Sequence, residues 1–106
     1  MKLEMDNELR ELIETGQSKR YKSIVRNNVL YNGLMSAYQL MESAASVEQL
    51  KTFSILHYEQ LKYKFSGLSS VRLDNRYVHR LIFEEKPDYI TLKLIEIDDT
   101  HYGNKK

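Results

Sequence analysis

Apolar residues follow two different periods along this chain, and the change comes near its middle. In the first half they recur every three to four positions, as on a helix face. Met1 to Met5 reads as a short edge strand. Asp6 is then placed to N-cap a helix that carries Leu9, Leu12 and Ile13 on one side and reaches Gly16 at its C-terminal end. A basic connector, Gln17 to Lys22, leads into a second apolar series, Ile24, Val25, Val29, Leu34, Met35, Tyr38, Met41 and Ala45. That series predicts one long amphipathic helix over Ser23 to Ala45. Ser46, with Gln49 three residues on, has capping-box spacing for a short helical turn.

After Ile55 the period drops to two, and β-branched and aromatic residues concentrate in Ser69 to Leu73, Tyr77 to Phe83 and Tyr89 to Ile97. Turn-forming residues separate these stretches: Asp74, Asn75 and Arg76 at the first junction, Lys86, Pro87 and Asp88 at the second. Three successive strands with short turns predict an antiparallel meander. The expected fold class is α+β, two N-terminal helices packed on one face of a small, mainly antiparallel twisted sheet, in a single domain over residues 1–106.

The parity of the first hairpin loop matters. An odd loop centred on Arg76 sets Val71 against Leu81, Leu73 against His79 and Ser69 against Phe83, an apolar face suited to the helices. Ser70, Ile82, Asp74 and Val78 fall on the other face, and Arg72 then stands opposite Arg80. Like charges directly opposite are destabilising in a sheet, so the pair calls for an anion. An even loop sends the two arginines to opposite faces and removes the requirement.

Composition narrows the class. With 106 residues, 42% of them apolar and 29% charged, the chain can bury one core and has no room for a second full domain. The richest apolar stretch, Tyr89 to Ile97, is interrupted by Thr91, Lys93 and Glu96, so no membrane span or membrane partner is expected. The acidic N-terminal segment lacks the apolar run of an export signal, which makes the cytoplasm the expected location. No cysteine is present, which excludes disulfides, cysteine zinc sites and thiol nucleophiles. His57, His79 and His101 are too widely spaced for a short metal motif, and neither metal nor cofactor is expected. The net charge is only +1, but Lys19, Arg20, Lys22 and Arg26 form one basic segment and the stretch from His57 to Phe83 another.

Four short motifs follow one another in the second half: Leu56-His57-Tyr58-Glu59-Gln60-Leu61-Lys62, Ser69-Ser70-Val71-Arg72-Leu73, His79-Arg80-Leu81-Ile82-Phe83, and His101-Tyr102. In that order and at nearly that spacing they resemble the RelE superfamily of toxins, most closely its HigB branch, over roughly residues 55–102. Tyr63 stands where the family usually has glycine, the hairpin between Arg72 and Arg80 is longer than common, and the net charge is lower than usual for the group. The resemblance implies a RelE/ParE-like fold and the toxin of a toxin–antitoxin pair. It further implies an endoribonuclease that cuts mRNA, commonly on the ribosome, and is silenced by a HigA-like protein antitoxin.

Metal-independent RNA cleavage by 2′-hydroxyl attack needs a base for the 2′ proton, cations for the non-bridging oxygens and an acid for the departing 5′ oxygen. Arg72 and Arg80 suit the phosphate, since a planar guanidinium fork holds two oxygens and stays charged. Lys62 adds a compact cation. His101 is the candidate proton carrier and Tyr102 a stacking or proton-donating neighbour. His57, Tyr58, Lys64 and Arg76 are the candidate RNA contacts. Plainer roles compete with these: the arginines on a solvated face or paired with Glu84 and Asp74, His79 in the core, His101 in a polar tail, and His57 structural. Two other functions share the fold, a ParE-like gyrase poison without RNase activity and an inactive binding module.

Overall fold

The computed structural model describes residues 1–88 and 90–99. The chain opens with strand β1 (Lys2–Glu4) and helix α1 (Asn7–Thr15). The Asp6 carboxylate accepts from the Leu9 backbone N–H at 3.0 Å and starts α1, while Gly16 ends it in the left-handed conformation at φ 76°. Leu9, Leu12 and Ile13 are buried, as the helical period requires.

The long helix expected over Ser23 to Ala45 is two helices, α2 (Lys22–Val25) and α3 (Asn28–Ser43). Asn27 makes the break. Its side-chain oxygen accepts from the N–H groups of Val29 and Leu30 at 3.0 and 3.2 Å, an N-cap that starts a new helix. The break also resets the buried face, which takes Leu30, Leu34, Ala37 and Met41, with Leu30 in place of Val29. Helix α4 (Val47–Lys51) is capped by Ser46, whose hydroxyl accepts from Gln49 N–H at 3.2 Å. The Gln49 side chain reaches back to accept from Ala45 N–H at 2.7 Å, one residue beyond the N-cap N–H of the usual capping box.

Among the described residues five strands form one sheet in the order β1-β5-β4-β3-β2, with β2 (Glu59–Gln60), β3 (Ser69–Arg72), β4 (Arg80–Glu85) and β5 (Thr91–Asp98). Only β1 runs parallel to its neighbour, β5; β2–β3, β3–β4 and β4–β5 are antiparallel. The fold is therefore α+β with the helices on one side of a mainly antiparallel sheet. Val71, Leu73, Leu81, Phe83, Leu92, Leu94 and Ile97 join the helices in one buried cluster. Helix α3 seats close to the end of β3: a Cβ on Gly33 would lie 2.1 Å from the Leu73 carbonyl oxygen, so only glycine fits there.

The β3–β4 register is the odd-loop one, pairing Ser69 with Phe83, Val71 with Leu81 and Arg72 with Arg80. The second face is not left to solvent. Ser70, Arg80, Ile82 and Asp98 are all buried there. The chain between β2 and β3 accounts for part of this cover: Leu61 N–H donates to the Leu68 carbonyl at 2.9 Å, closing a loop whose Phe65 ring lies 5.7 Å from the Arg80 guanidinium.

Candidate functional site

The second face of the sheet carries a cavity of about 480 Å³, lined by His57, Tyr58, Glu59, Ser70, Arg72, Asn75 and Arg80. Strand alternation explains the set. Ser70 and Arg72 are two apart on β3, Arg80 faces Arg72 across the ladder, and Glu59 faces Ser70 from β2. His57 ends the 3₁₀ turn Ser54–Leu56 in the left-handed conformation, φ 48°, and the reversal brings the chain into β2 along the cavity wall.

The two arginines are held differently. Arg72 is half-buried and donates from Nη1 to the Tyr77 carbonyl at 2.9 Å, which anchors it across its own hairpin. Arg80 is 8% exposed and donates through Nε and Nη2 to one Asp98 oxygen at 3.4 and 3.3 Å. The anion called for by the opposed arginines is thus supplied in part from within the chain. It comes from Asp98, which stands opposite Arg80 on β5, and not from Glu84 or Asp74. Arg80 thus stands between Arg72 on β3 and Asp98 on β5, so the carboxylate offsets Arg80 and Arg72 adds a second guanidinium beside it, which suits a phosphate.

A β-bulge makes that pairing. From the second turn, Glu85 faces Leu92, Glu84 faces Lys93 and Phe83 faces Leu94, but Ile82 then faces Glu96, so Ile95 has no opposite number. Without the extra residue Arg80 would face Ile97, and Glu96 would turn toward the helices beside Leu81. With it, Ile97 enters the core and Asp98 meets Arg80.

Tyr58 borders the cavity, yet its ring packs 6.2 Å from Phe83, a helix-side residue, and its hydroxyl donates to Glu85. Ser69 donates to the same carboxylate at 2.7 Å. Burial, and then the hydrogen bond to Glu85, raise the Tyr58 pKa, so its hydroxyl remains a donor and its ring a packing element. Lys62, Lys64 and Arg76 are exposed and are not among the cavity-lining residues. Arg76 folds onto Asp74 at 2.9 and 3.0 Å and lines a separate groove beside α3 with Val29, Asn32 and Gly33. Lys64 sits 5.0 Å from the Phe65 ring. His79, expected in the core, is half-buried and stacks edge-on with Tyr77 at 6.1 Å. His101 and Tyr102 lie outside the described residues.

Sequence reasoning gave no role to Glu59 or Asp98. Glu59 occupies a two-residue strand, too short for a period to be read, and Asp98 depends on the bulge.

No protein-family model matches the chain, and no curated protein matches it. Solved structures do. One is the YoeB–YefM complex from Staphylococcus aureus, with TM-score 0.56 at 17% identity, covering 96% of this chain and 98% of that one. A heterotetrameric complex of the YoeB–YefM toxin–antitoxin from the same organism matches at TM-score 0.55 and 16% identity over the same shares. The likeness is one of fold, and it runs nearly end to end. It lies with YoeB–YefM complexes, so the narrower HigB-like placement finds no counterpart in these two structures.

Proposed function

We propose that the protein is the toxin of a toxin–antitoxin pair, a RelE-superfamily endoribonuclease that cuts mRNA, in the cytoplasm and on the ribosome. The observation that carries this reading is the cavity that joins Arg72, Arg80, His57 and Glu59 on the face away from the helices. The fold likeness to YoeB–YefM complexes supports the same reading and favours a YoeB-like toxin with a YefM-like antitoxin over the HigB and HigA pair.

The chemistry follows from the lining. Glu59 is the one carboxylate among the described lining residues, and it serves as the base for the 2′-hydroxyl. The 2′ oxygen forms a bond to the adjacent phosphorus, Arg72 and Arg80 hold the non-bridging oxygens, and the bond from phosphorus to the 5′ oxygen breaks. A protonated histidine gives its own proton to that oxygen, while Glu59 keeps the one from the 2′-hydroxyl. We assign this step to His101, with Tyr102 beside it, and give His57 and Lys62 supporting roles in binding the backbone. The products are a 2′,3′-cyclic phosphate and a 5′-hydroxyl.

Purified protein added to a translating mRNA tests this directly. Both end groups are expected, with about 10²–10⁴-fold slower cleavage for Glu59→Gln and for a chain lacking residues 101–106. Products with other end groups, or unchanged rates in both variants, would refute the assignment.

A further inference from the structure

Among the described residues Tyr63 is the most exposed large hydrophobic, at 81%, and it holds a backbone conformation that tyrosine rarely adopts, φ 59°. Side chains with a Cβ are disfavoured in this region, and the chain uses glycine at two of its other left-handed positions, Gly16 and Gly67. His57, at the wall of the arginine cavity, is the other non-glycine residue so held among the described ones. Strained residues of this kind cluster at binding and catalytic sites.

The surroundings indicate what Tyr63 meets. It begins the 3₁₀ turn Tyr63–Phe65, between Lys62 and Lys64. Bonds from Phe65 N–H to the Lys62 carbonyl, from Ser66 N–H to the Tyr63 carbonyl and from Leu68 N–H to the Phe65 carbonyl tie the turn. Its third residue, Phe65, sits beside Arg80 at 5.7 Å, so the turn is fastened to the cavity floor while its first residue projects outward. An exposed, flat ring between two lysines, on a tied turn beside the arginine cavity, has the form of a stacking platform.

We propose that Tyr63 stacks on an unpaired base of single-stranded RNA next to the scissile phosphate, while Lys62 and Lys64 meet the flanking phosphates. This rests on the endoribonuclease reading and adds a base-binding position to it. The left-handed turn aims the ring away from the core, and the lysines keep the RNA backbone within reach.

The full chain, Tyr63→Gly and Tyr63→Phe are compared in binding to an unstructured RNA oligonucleotide and to versions with one abasic position each. Tyr63→Gly is expected to weaken binding about tenfold. Its melting temperature should hold or rise, because glycine relieves the strained backbone. Tyr63→Phe should bind like the original protein. An abasic substitution should weaken the original protein at one position and leave Tyr63→Gly unaffected there. Equal binding by the original protein and Tyr63→Gly overturns the stacking role. So does loss of binding to a purified antitoxin with RNA binding intact, which would make Tyr63 a protein contact. An original protein that neither binds nor cuts RNA would instead remove the endoribonuclease reading, and this inference with it.

Discussion

Replacing Arg80 and replacing Arg72 are different experiments, although the two stand opposite each other in the ladder. The strand register alone suggests that losing either relieves a like-charge contact. Burial reverses that expectation for Arg80. Its partner Asp98 is 8% exposed, so Arg80→Ala breaks a buried ion pair from one side, at a cost of about 3–5 kcal/mol. Arg72 gives up one hydrogen bond to a carbonyl, a loss of about 1 kcal/mol. Urea unfolding should therefore show Arg80→Ala strongly destabilised and Arg72→Ala nearly unchanged, with part of the loss recovered in Arg80→Ala combined with Asp98→Ala. Cleavage by Arg72→Ala should fall about 10²–10³-fold in a protein that remains folded. An Arg80→Ala protein as stable as the original would mean that the ion pair contributes nothing.

At the scale of elements, much was legible where the determinants are local. Asp6, Gly16 and Ser46 cap the helices as expected because a cap needs only its own few neighbours. The odd-loop hairpin register also holds, since an even loop would put Val71 and Leu81 on opposite faces and expose one of them away from the helices. The break at Asn27 was not legible, for asparagine in a helical pattern can either face solvent or cap, and tertiary packing of Ile24 and Leu30 decides. The parallel pairing of β1 with β5 joins chain segments too distant for any local pattern to reveal. In the site, Arg72 opposite Arg80 could be read from the strand register, while Glu59 and Asp98 required a two-residue strand and a bulge.

Two elements give sharp tests. Asp74 closes the turn of the first hairpin: the Arg76 side chain and then its backbone N–H hold the carboxyl down to about 2. A carboxyl whose folded pKa is lowered contributes stability above its unfolded value, near 3.8, and that contribution is lost as pH falls through about 2. The stability difference between the original protein and Asp74→Asn should be constant above about pH 5 and shrink steadily toward pH 2. A difference independent of pH would deny the bond to Arg76. Gly33→Ala tests how α3 meets the sheet. Intrinsic propensity favours alanine in a helix by about 1 kcal/mol. The contact with the Leu73 carbonyl should outweigh that and give a net loss of about 1–3 kcal/mol in urea unfolding. A more stable Gly33→Ala would show that α3 sits farther from β3.

For the whole molecule, the division between faces matters most. Helices cover one side of the sheet and bury its apolar residues, so the opposite side is released to carry charge, and the cavity there combines cations with a carboxylate. In the proposed function that carboxylate, Glu59, is the base, and a gyrase poison would have no use for one beside Arg72 and Arg80. The most direct measurement is therefore a map of RNA 5′ ends in cells after brief induction of the intact protein, beside Glu59→Gln. New ends clustered inside translated messages, and absent with Glu59→Gln, are the expected result. Signs of DNA damage without new RNA ends would contradict it.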